Sequence, residues 1–329
     1  MHICRSAEAV VVHAPAKLNL FFEVLAKRTD GFHEIETLMC PIDLYDTITF
    51  QEDSSGQVQL STQAPRGAGR PRVRTEAKGV DALPGGQDNL IVQAIELVRQ
   101  TAGVRRGAAV RLVKRIPLAA GLGGGSSDAA AALLAADIGW GLELGPDTLL
   151  QMATQLGSDV PFFLANSAAV CRGRGERIEP VPQPDVLHFV VARPDVGLST
   201  ASVYAACRPA DHPRPVQPAC TALARGNLRQ LGSLLCNRLQ PAAAALCPAV
   251  AELERMFSDL ALPGYGMSGS GTAYFGLCRR ASHARRVARR LRANGVGNVF
   301  AVRSCRPSGG GTEWPATQGE WPWKSPKFV

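Results

Sequence analysis

The order of apolar and polar positions predicts a chain in which strands and helices alternate. Residues 9–25 begin with a run of valines and continue with apolar residues at every second position, which is typical of a strand with one buried face. Similar patterns predict further strands at 43–50, 108–115, 187–194, 271–278 and 298–305. Apolar residues spaced three and four apart predict helices at 88–103, 129–137, 147–157, 221–240, 248–258 and 279–295. This intermixed order indicates the α+β class.

Two segments interrupt the pattern. Residues 53–87 contain few order-promoting side chains and are rich in glycine, proline and arginine, so we expect a mobile surface loop there. Residues 306–329 combine glycines with three tryptophans among prolines, and we expect them to be an appended, flexible tail. The junction between two domains is expected near 166–186, with one domain at 1–170 and the other at 171–305.

Composition limits the class of protein. The 329 residues are 46% hydrophobic and 19% charged, so the chain can bury cores for two domains. No run approaches the roughly 20 apolar residues that cross a bilayer, and no apolar stretch of signal-peptide length occurs near the first residue. The nine cysteines include no CxxC pair, which argues against a zinc site, and their odd number argues against a disulfide scaffold. We expect a cytoplasmic protein without a membrane partner.

The formal net charge of +8 favours anionic partners. Its densest source is the arginine-rich helix predicted at 279–295, and basic helices of this kind can bind nucleic acid. We favour a solvated helix face over nucleic-acid binding, because polyanionic small-molecule substrates would also account for a basic chain.

A glycine-rich stretch follows the strand predicted at 108–115. The sequence "GLGGGSSD" at 121–128 lies directly before a run of alanines. It fits neither the GxxxxGK[ST] nor the GxGxxG phosphate-binding pattern. The literal GxGxxG at 264–269 precedes a predicted strand instead of a helix. The stretch at 121–128 is therefore neither of the two standard phosphate loops.

Physical chemistry still favours a phosphate site at this stretch. Glycines let backbone N–H groups converge, and the N-terminus of the following helix attracts phosphate oxygens. We expect that helix to be capped by Ser126, Ser127 or Asp128. The alternative is a glycine-rich turn without a ligand, against which the neighbouring cations Lys114 and Arg115 argue.

The sequence "PLAAGLGGGSSDAAAAL" at 117–133 resembles the ATP-binding motif of the GHMP kinases. The resemblance implies an α+β, two-domain GHMP kinase fold, with a ribosomal protein S5 domain 2-like N-terminal domain, a ferredoxin-like α/β C-terminal domain and the active site between them. It also implies ATP and Mg²⁺ as cofactors. The residues that it assigns to ATP binding are Asn89, Lys114, Pro117, Gly121, Leu122, Gly123, Gly124, Gly125, Ser126, Ser127 and Asp128.

A second motif, at 14–39, extends the resemblance. Its strand places Lys17 and Asn19 two positions apart and therefore on one face. A turn then presents Phe32 and His33, an aromatic ring and an imidazole that suit a flat base. The motif is similar to that of one branch of the family, which phosphorylates a cytidine diphosphate-linked methylerythritol, and in that branch the matching positions hold the cytosine. Many members of the branch carry tyrosine at the position of Phe32.

Two further motifs complete the resemblance. The sequence "LGSDVPFFL" at 156–164 resembles the family element that carries the catalytic aspartate, which assigns catalysis to Asp159 together with Lys17. A lysine beside a carboxylate that accepts a hydroxyl proton forms a suitable pair for this chemistry. Residues 265–276 resemble the third motif and, with the less diagnostic "LSTASVY", place on the substrate side Thr200, Tyr204, Ser268, Gly269 and Ser270. The resemblance assigns Asn19 to substrate binding as well. Tyr204 is expected to stack opposite Phe32.

The sequence therefore predicts an ATP-dependent kinase whose substrate is a cytidine diphosphate-linked alcohol. The first alternative is another GHMP kinase with a mevalonate-like or homoserine-like substrate, which would need no aromatic pair for a base. The second alternative is the nucleic-acid-binding protein considered above. The oligomeric state stays open.

Overall fold

The computed structural model describes residues 1–63 and 86–305. The tail predicted at 306–329 and most of the loop predicted at 53–87 lie outside these residues. The loop prediction is wrong at its beginning, because residues 58–63 form a strand that pairs in parallel with its neighbour. This short alternation of apolar and polar residues is flanked by glycine-, serine- and proline-rich sequence, which concealed it.

The described residues form twelve strands and ten α-helices. The strands are β1 (His2–Arg5), β2 (Val10–Lys27), β3 (His33–Asp53), β4 (Val58–Gln63), β5 (Gly107–Val113), β6 (Ala169–Gly173), β7 (Arg177–Pro180), β8 (His188–Arg193), β9 (Cys236–Asn237), β10 (Gly264–Met267), β11 (Tyr274–Cys278) and β12 (Asn298–Arg303). The helices are α1 (Leu90–Ala102), α2 (Gly124–Trp140), α3 (Pro146–Leu156), α4 (Val160–Ala165), α5 (Thr200–Ala206), α6 (Gln217–Ala224), α7 (Leu228–Leu234), α8 (Gln240–Leu246), α9 (Pro248–Ser258) and α10 (Ala281–Ala293). The single helix predicted at 221–240 is wrong, because Gly226, with φ +64°, and the cap residue Asn227 separate α6 from α7.

Eight strands form the first sheet. Antiparallel pairs give the order β1–β2–β3–β5, and β4 adds to β5 in parallel at the edge. β6 pairs with β3 and β7 with β6, while β9 adds to β2. The long β2–β3 pair contains register shifts after Pro15, Asn19 and Val24. Bulges of this kind change the direction of neighbouring side chains, and two of them bracket the segment that carries Lys17 and Asn19.

Helices α1–α4 cover one face of this sheet. α2 packs against α1, α3, α4 and the strands β2 and β3, and its alanines at 129–132 are fully buried. A helix that is apolar on all sides lies inside the protein. The alanine run therefore lets α2 approach its neighbours closely, directly after the glycine-rich stretch.

The second sheet has the order β10–β11–β8–β12 and is antiparallel throughout. Helices connect β8 to β10 and β11 to β12, which gives the ferredoxin-like β-α-β-β-α-β arrangement predicted for the second domain. α10 packs Val287 and Leu291 into the core beside this sheet. Most of its arginines are exposed on the opposite side, as expected of a solvated helix face.

The two sheets share a buried apolar cluster. It includes Leu18 and Leu20 from the first sheet and Phe189 and Phe275 from the second. β6 and β7 continue the first sheet to Pro180, and β9 returns to it from the second half of the chain. The predicted division after residue 170 stays a prediction. Among residues 1–63 and 86–305, no helix combines the length and the apolar character needed to cross a bilayer.

Candidate active site

Lys17 and Asn19 lie side by side on β2, as their spacing predicts. The Lys17 Nζ donates to Asn19 Oδ1 at 2.5 Å, and the Asn19 Nδ2 donates to the Thr37 hydroxyl at 2.8 Å. Lys17 is 3% exposed. Burial lowers its pKa, and the carboxylate of Asp159, 3.6 Å from Nζ, opposes that shift. The two catalytic candidates, far apart in sequence, are therefore brought together.

Asp159 stands at the start of α4. The preceding helix α3 ends at Leu156 with Gly157 as its C-cap, and α4 begins at Val160 with a proline in its first turn. Asp159 occupies the N-cap position without making a capping hydrogen bond, so the helix does not use its carboxylate. Its side chain is 31% exposed. The carboxylate is therefore accessible to a substrate, with Lys17 on its buried side.

The glycine-rich loop at 118–123 connects β5 to α2 and contacts both domains. Leu122 O accepts the backbone N–H of Lys17 at 3.0 Å, which attaches the loop to β2. On the other side, the Ser268 hydroxyl donates to Gly121 O at 3.0 Å. Gly121 has a φ of +73°, and a Cβ there would collide with Ser268 O. Glycine is required because it tolerates both the left-handed conformation and the close approach.

Ser268, Gly269 and Ser270 lie in the connection between β10 and β11, facing this loop. The backbone N–H of Asn19 donates to Ser268 Oγ at 3.2 Å. The Ser270 hydroxyl lies 2.9 Å from the Thr200 hydroxyl. The connection therefore joins Asn19 of the first sheet to Thr200 of α5. Five residues predicted on the substrate side therefore meet at the junction of the domains: Asn19, Thr200, Ser268, Gly269 and Ser270.

α2 begins earlier than predicted. Its N-cap is Gly123, with φ +70°, and no side chain caps the helix. The expectation that Ser126, Ser127 or Asp128 caps it is wrong, because these residues already lie within the first helical turns. The first backbone N–H groups of a helix have no intrahelical partner. The donors available to a phosphate at this point are therefore backbone groups from Gly124 onwards.

Lys114 and Asp128 form a buried ion cluster beneath the loop. The Lys114 Nζ lies 2.6 Å from Asp46 and 2.5 Å from Asp128. Burial alone would lower the pKa of Lys114, but the two carboxylates outweigh it and raise that pKa. Burial, reinforced by Asp46, raises the pKa of Asp128 although Lys114 opposes the shift. These residues support the loop from below, and their direct contact with ATP stays a prediction.

Asn89 and Pro117 occupy structural positions next to the loop. Asn89 is the N-cap of α1, the helix predicted at 88–103, and its Oδ1 accepts the N–H of Ile91 at 2.9 Å. Pro117 is buried where the chain leaves β5. Contact of Asn89 with adenine stays a prediction.

Phe32 and His33 stand at the turn between β2 and β3. Phe32 is 49% exposed, although large apolar side chains are mostly buried in this chain. The Tyr204 ring lies against His33, with ring centroids 5.0 Å apart. The sequence analysis expected Tyr204 to stack opposite Phe32 instead. Burial raises the pKa of Tyr204, and the charge of Asp159 adds to that shift. The aromatic group therefore lies close enough to the catalytic candidates for Tyr204 and Asp159 to interact electrostatically.

Three residues of the site were not predicted. Thr37 orients Asn19, Asp46 pairs with Lys114, and Arg174 places its guanidinium carbon 4.6 Å from the Phe32 ring centroid. Arg174 lies in a sequence, "GRGER", that signals only a turn. Spacing along the chain gives no indication of these contacts, because each joins separate strands or turns.

Comparisons with known proteins agree with this arrangement. Models of the GHMP kinases N terminal domain and of the GHMP kinases C terminal match residues 89–167 and 219–297. A 4-diphosphocytidyl-2-C-methyl-D-erythritol kinase from Pelotomaculum thermopropionicum is 41% identical over 296 residues, which cover 89% of this chain and 97% of the relative.

Solved structures give the same result. A crystal structure of 4-(cytidine 5'-diphospho)-2C-methyl-D-erythritol kinase is 38% identical, with a TM-score of 0.74 over 90% of this chain and 100% of the other. A homoserine kinase from Cytophaga hutchinsonii has a TM-score of 0.71 over 92% of this chain and 96% of its own, but at 17% identity this likeness concerns the fold alone. The chain belongs to the GHMP kinases and, within them, to the family of the 4-diphosphocytidyl-2-C-methyl-D-erythritol kinases.

Proposed function

We propose that the protein transfers the terminal phosphoryl group of ATP to the 2-hydroxyl of 4-diphosphocytidyl-2-C-methyl-D-erythritol, in the non-mevalonate route to isoprenoid precursors. One observation carries the proposal: Lys17 and Asp159 lie together between the glycine-rich loop and the aromatic group of Phe32, His33 and Tyr204. Phosphoryl transfer depends mainly on alignment and charge neutralisation. The phosphate site and the base-binding surface would align the two substrates, and Lys17 beside Asp159 would neutralise charge at the reacting oxygen.

In this proposal Asp159 accepts the proton of the substrate hydroxyl, and Lys17 offsets the charge that develops on the attacking oxygen. The hydrogen bonds from Lys17 to Asn19 and from Asn19 to Thr37 fix the lysine at one position. Because the ammonium is buried, little water screens its interaction with the carboxylate or the reacting oxygen.

The glycine-rich loop and the N-terminus of α2 hold the phosphates of ATP through backbone N–H groups. No cluster of three or more His, Cys, Asp or Glu suited to a metal occurs in the described part of the chain. Among the described residues, the Ser127 hydroxyl in the first turns of α2 is buried without a hydrogen-bond partner. The Ser127 hydroxyl would supply a protein oxygen to a Mg²⁺ that enters with ATP. When bound, the ion neutralises phosphate charge.

Asp159→Asn tests the catalytic assignment. We expect turnover to fall by about 100-fold or more, while ATP binding stays unchanged, because the amide keeps the size of the side chain and cannot accept the proton. Turnover is measured as substrate-dependent ADP release, and ATP binding by calorimetry. Ser158→Ala, in the same turn, is the matched control. An Asn variant with normal turnover would show that the assignment is wrong.

CMP and CDP test the base-binding side against the alternative GHMP kinases. A site built for a cytidine nucleotide should raise the melting temperature in the presence of either nucleotide, whereas one for mevalonate or homoserine should not respond. Phe32→Ala should remove the shift, because stacking on the ring is lost. Absence of any shift in the unmodified protein at millimolar nucleotide would favour the alternative.

A further inference from the structure

The turn between β6 and β7 lies beside both halves of the candidate site. Arg174 opens this turn, and its guanidinium carbon lies 4.6 Å from the centroid of the Phe32 ring. Gly175 follows and packs against the other end of the site: a Cβ at Gly175 would lie 3.3 Å from Ser158 O and 3.4 Å from Asp159 Oδ1. A single turn therefore contacts both the proposed base-binding ring and the proposed catalytic carboxylate.

The backbone of the turn is fixed. Its preceding residue, Gly173, pairs with Ile35 in the register of β6 with β3. The backbone N–H of Arg174 donates to Glu176 Oε2 at 2.7 Å. The guanidinium, in contrast, forms neither an ion pair nor a side-chain hydrogen bond with any residue of 1–63 or 86–305. Within these ranges its N–H donors have no hydrogen-bond acceptor, although Asp30 lies close enough for an electrostatic interaction with the guanidinium. The turn and the Phe32 ring set its position.

The neighbouring arginines differ in this respect. Each forms an ion pair with a carboxylate, with N···O distances of 2.5 to 3.0 Å. The pairs are Arg28–Asp30, Arg172–Glu36 and Arg177–Glu34. A guanidinium over an aromatic ring uses its flat face for that contact and keeps its N–H edge available. This edge matches the geometry of phosphate oxygens, to which it donates two parallel hydrogen bonds.

We propose that Arg174 binds the diphosphate group of the substrate, an inference that rests on the proposed function. A cytidine diphosphate-linked alcohol with its base at Phe32 and its reacting hydroxyl at Asp159 must place the diphosphate between these two residues. The β6–β7 turn spans the same interval. Arg174 thereby selects a substrate with a charged linker over one that presents the cytosine base alone.

The test compares binding of CDP and of cytidine to the full chain and to Arg174→Gln, by calorimetry. We expect CDP affinity to fall by about 10-fold or more, the loss typical of a charge-assisted hydrogen bond. Cytidine affinity should change little. Steady-state assays should show a raised KM for the cytidine substrate, with kcat and the KM for ATP unchanged. Arg177→Gln, in the same hairpin but paired with Glu34, is the control and should behave like the unmodified protein.

The outcomes separate this inference from the proposed function. If the unmodified protein fails to phosphorylate the cytidine substrate, the proposed function is wrong. If it turns over and Arg174→Gln loses equal affinity for CDP and for cytidine, Arg174 only supports the Phe32 ring and the inference is overturned. Unchanged CDP affinity in the variant would overturn it as well.

Discussion

Replacing Lys114 with methionine would leave Asp46 and Asp128 without the cation that they share. The lysine nitrogen lies 2.6 and 2.5 Å from the two carboxylates, and none of the three side chains is more than 5% exposed. Removing one partner of a buried ion pair costs about 3–5 kcal/mol, because the remaining charge stays desolvated and unpaired. We expect Lys114→Met to lower the free energy of unfolding by about this amount at neutral pH.

Urea denaturation followed by circular dichroism measures the loss, and a double variant identifies its cause. Lys114→Met combined with Asp128→Asn removes one of the two carboxylates that the lysine leaves unpaired. The other, Asp46, still accepts hydrogen bonds from the backbone N–H groups of Arg115 and Ile116. We expect the double variant to be more stable than Lys114→Met alone, with a coupling of about 2 kcal/mol between the two sites.

The pH dependence gives an independent check. Burial raises the pKa of Asp128, and removing the lysine raises it further. A carboxyl whose pKa is higher in the folded state contributes stability at low pH that is lost as the pH rises through the folded pKa. The deficit of Lys114→Met should therefore shrink as the pH falls below neutral. A loss below about 1 kcal/mol with a raised KM for ATP would show that Lys114 acts on the nucleotide and not as a buried support.

Two further predictions concern the loop and the aromatic group. Gly121→Ala should abolish ATP binding measured by calorimetry, because its φ is +73° and the new Cβ would collide with Ser268 O; Gly145→Ala, at an open position, should bind normally. Phe32→Ala should raise the KM for the cytidine substrate by about 10-fold or more through lost stacking, whereas Phe32→Tyr should keep the KM near its original value. A tight-binding Gly121→Ala or an unaffected Phe32→Ala would contradict the proposed positions of these residues.

The features that lie close together in sequence were predictable. The spacing of Lys17 and Asn19 on a strand fixed their common face, and the glycine run before an alanine run indicated the loop and the buried helix that follows. The ferredoxin-like second domain also followed from the resemblance. For the strand face and the glycine loop the physical cause acts within a few residues, so that local sequence contains it, whereas the second domain was predicted from the family resemblance alone.

Features that depend on tertiary packing were not predictable. Asp46 pairs with Lys114 although 68 positions separate them in the sequence, and the sequence pattern around either residue does not indicate the pair. The helix α2 starts at Gly124 because packing of the loop, and not a side-chain cap, sets its first turn. Likewise, Tyr204 contacts His33 because α5 is placed by the second sheet, which the spacing within 14–39 cannot reveal.

Substrate-dependent ADP release tests the proposed activity most directly. The unmodified protein, with ATP and Mg²⁺, is compared on 4-diphosphocytidyl-2-C-methyl-D-erythritol, mevalonate and homoserine at equal concentration. We predict rapid release of ADP with the cytidine substrate and only background release with the other two. Faster release with mevalonate or homoserine, or none above background with the cytidine substrate, would contradict the assignment of Phe32 and His33 to a base and of Asp159 to its hydroxyl.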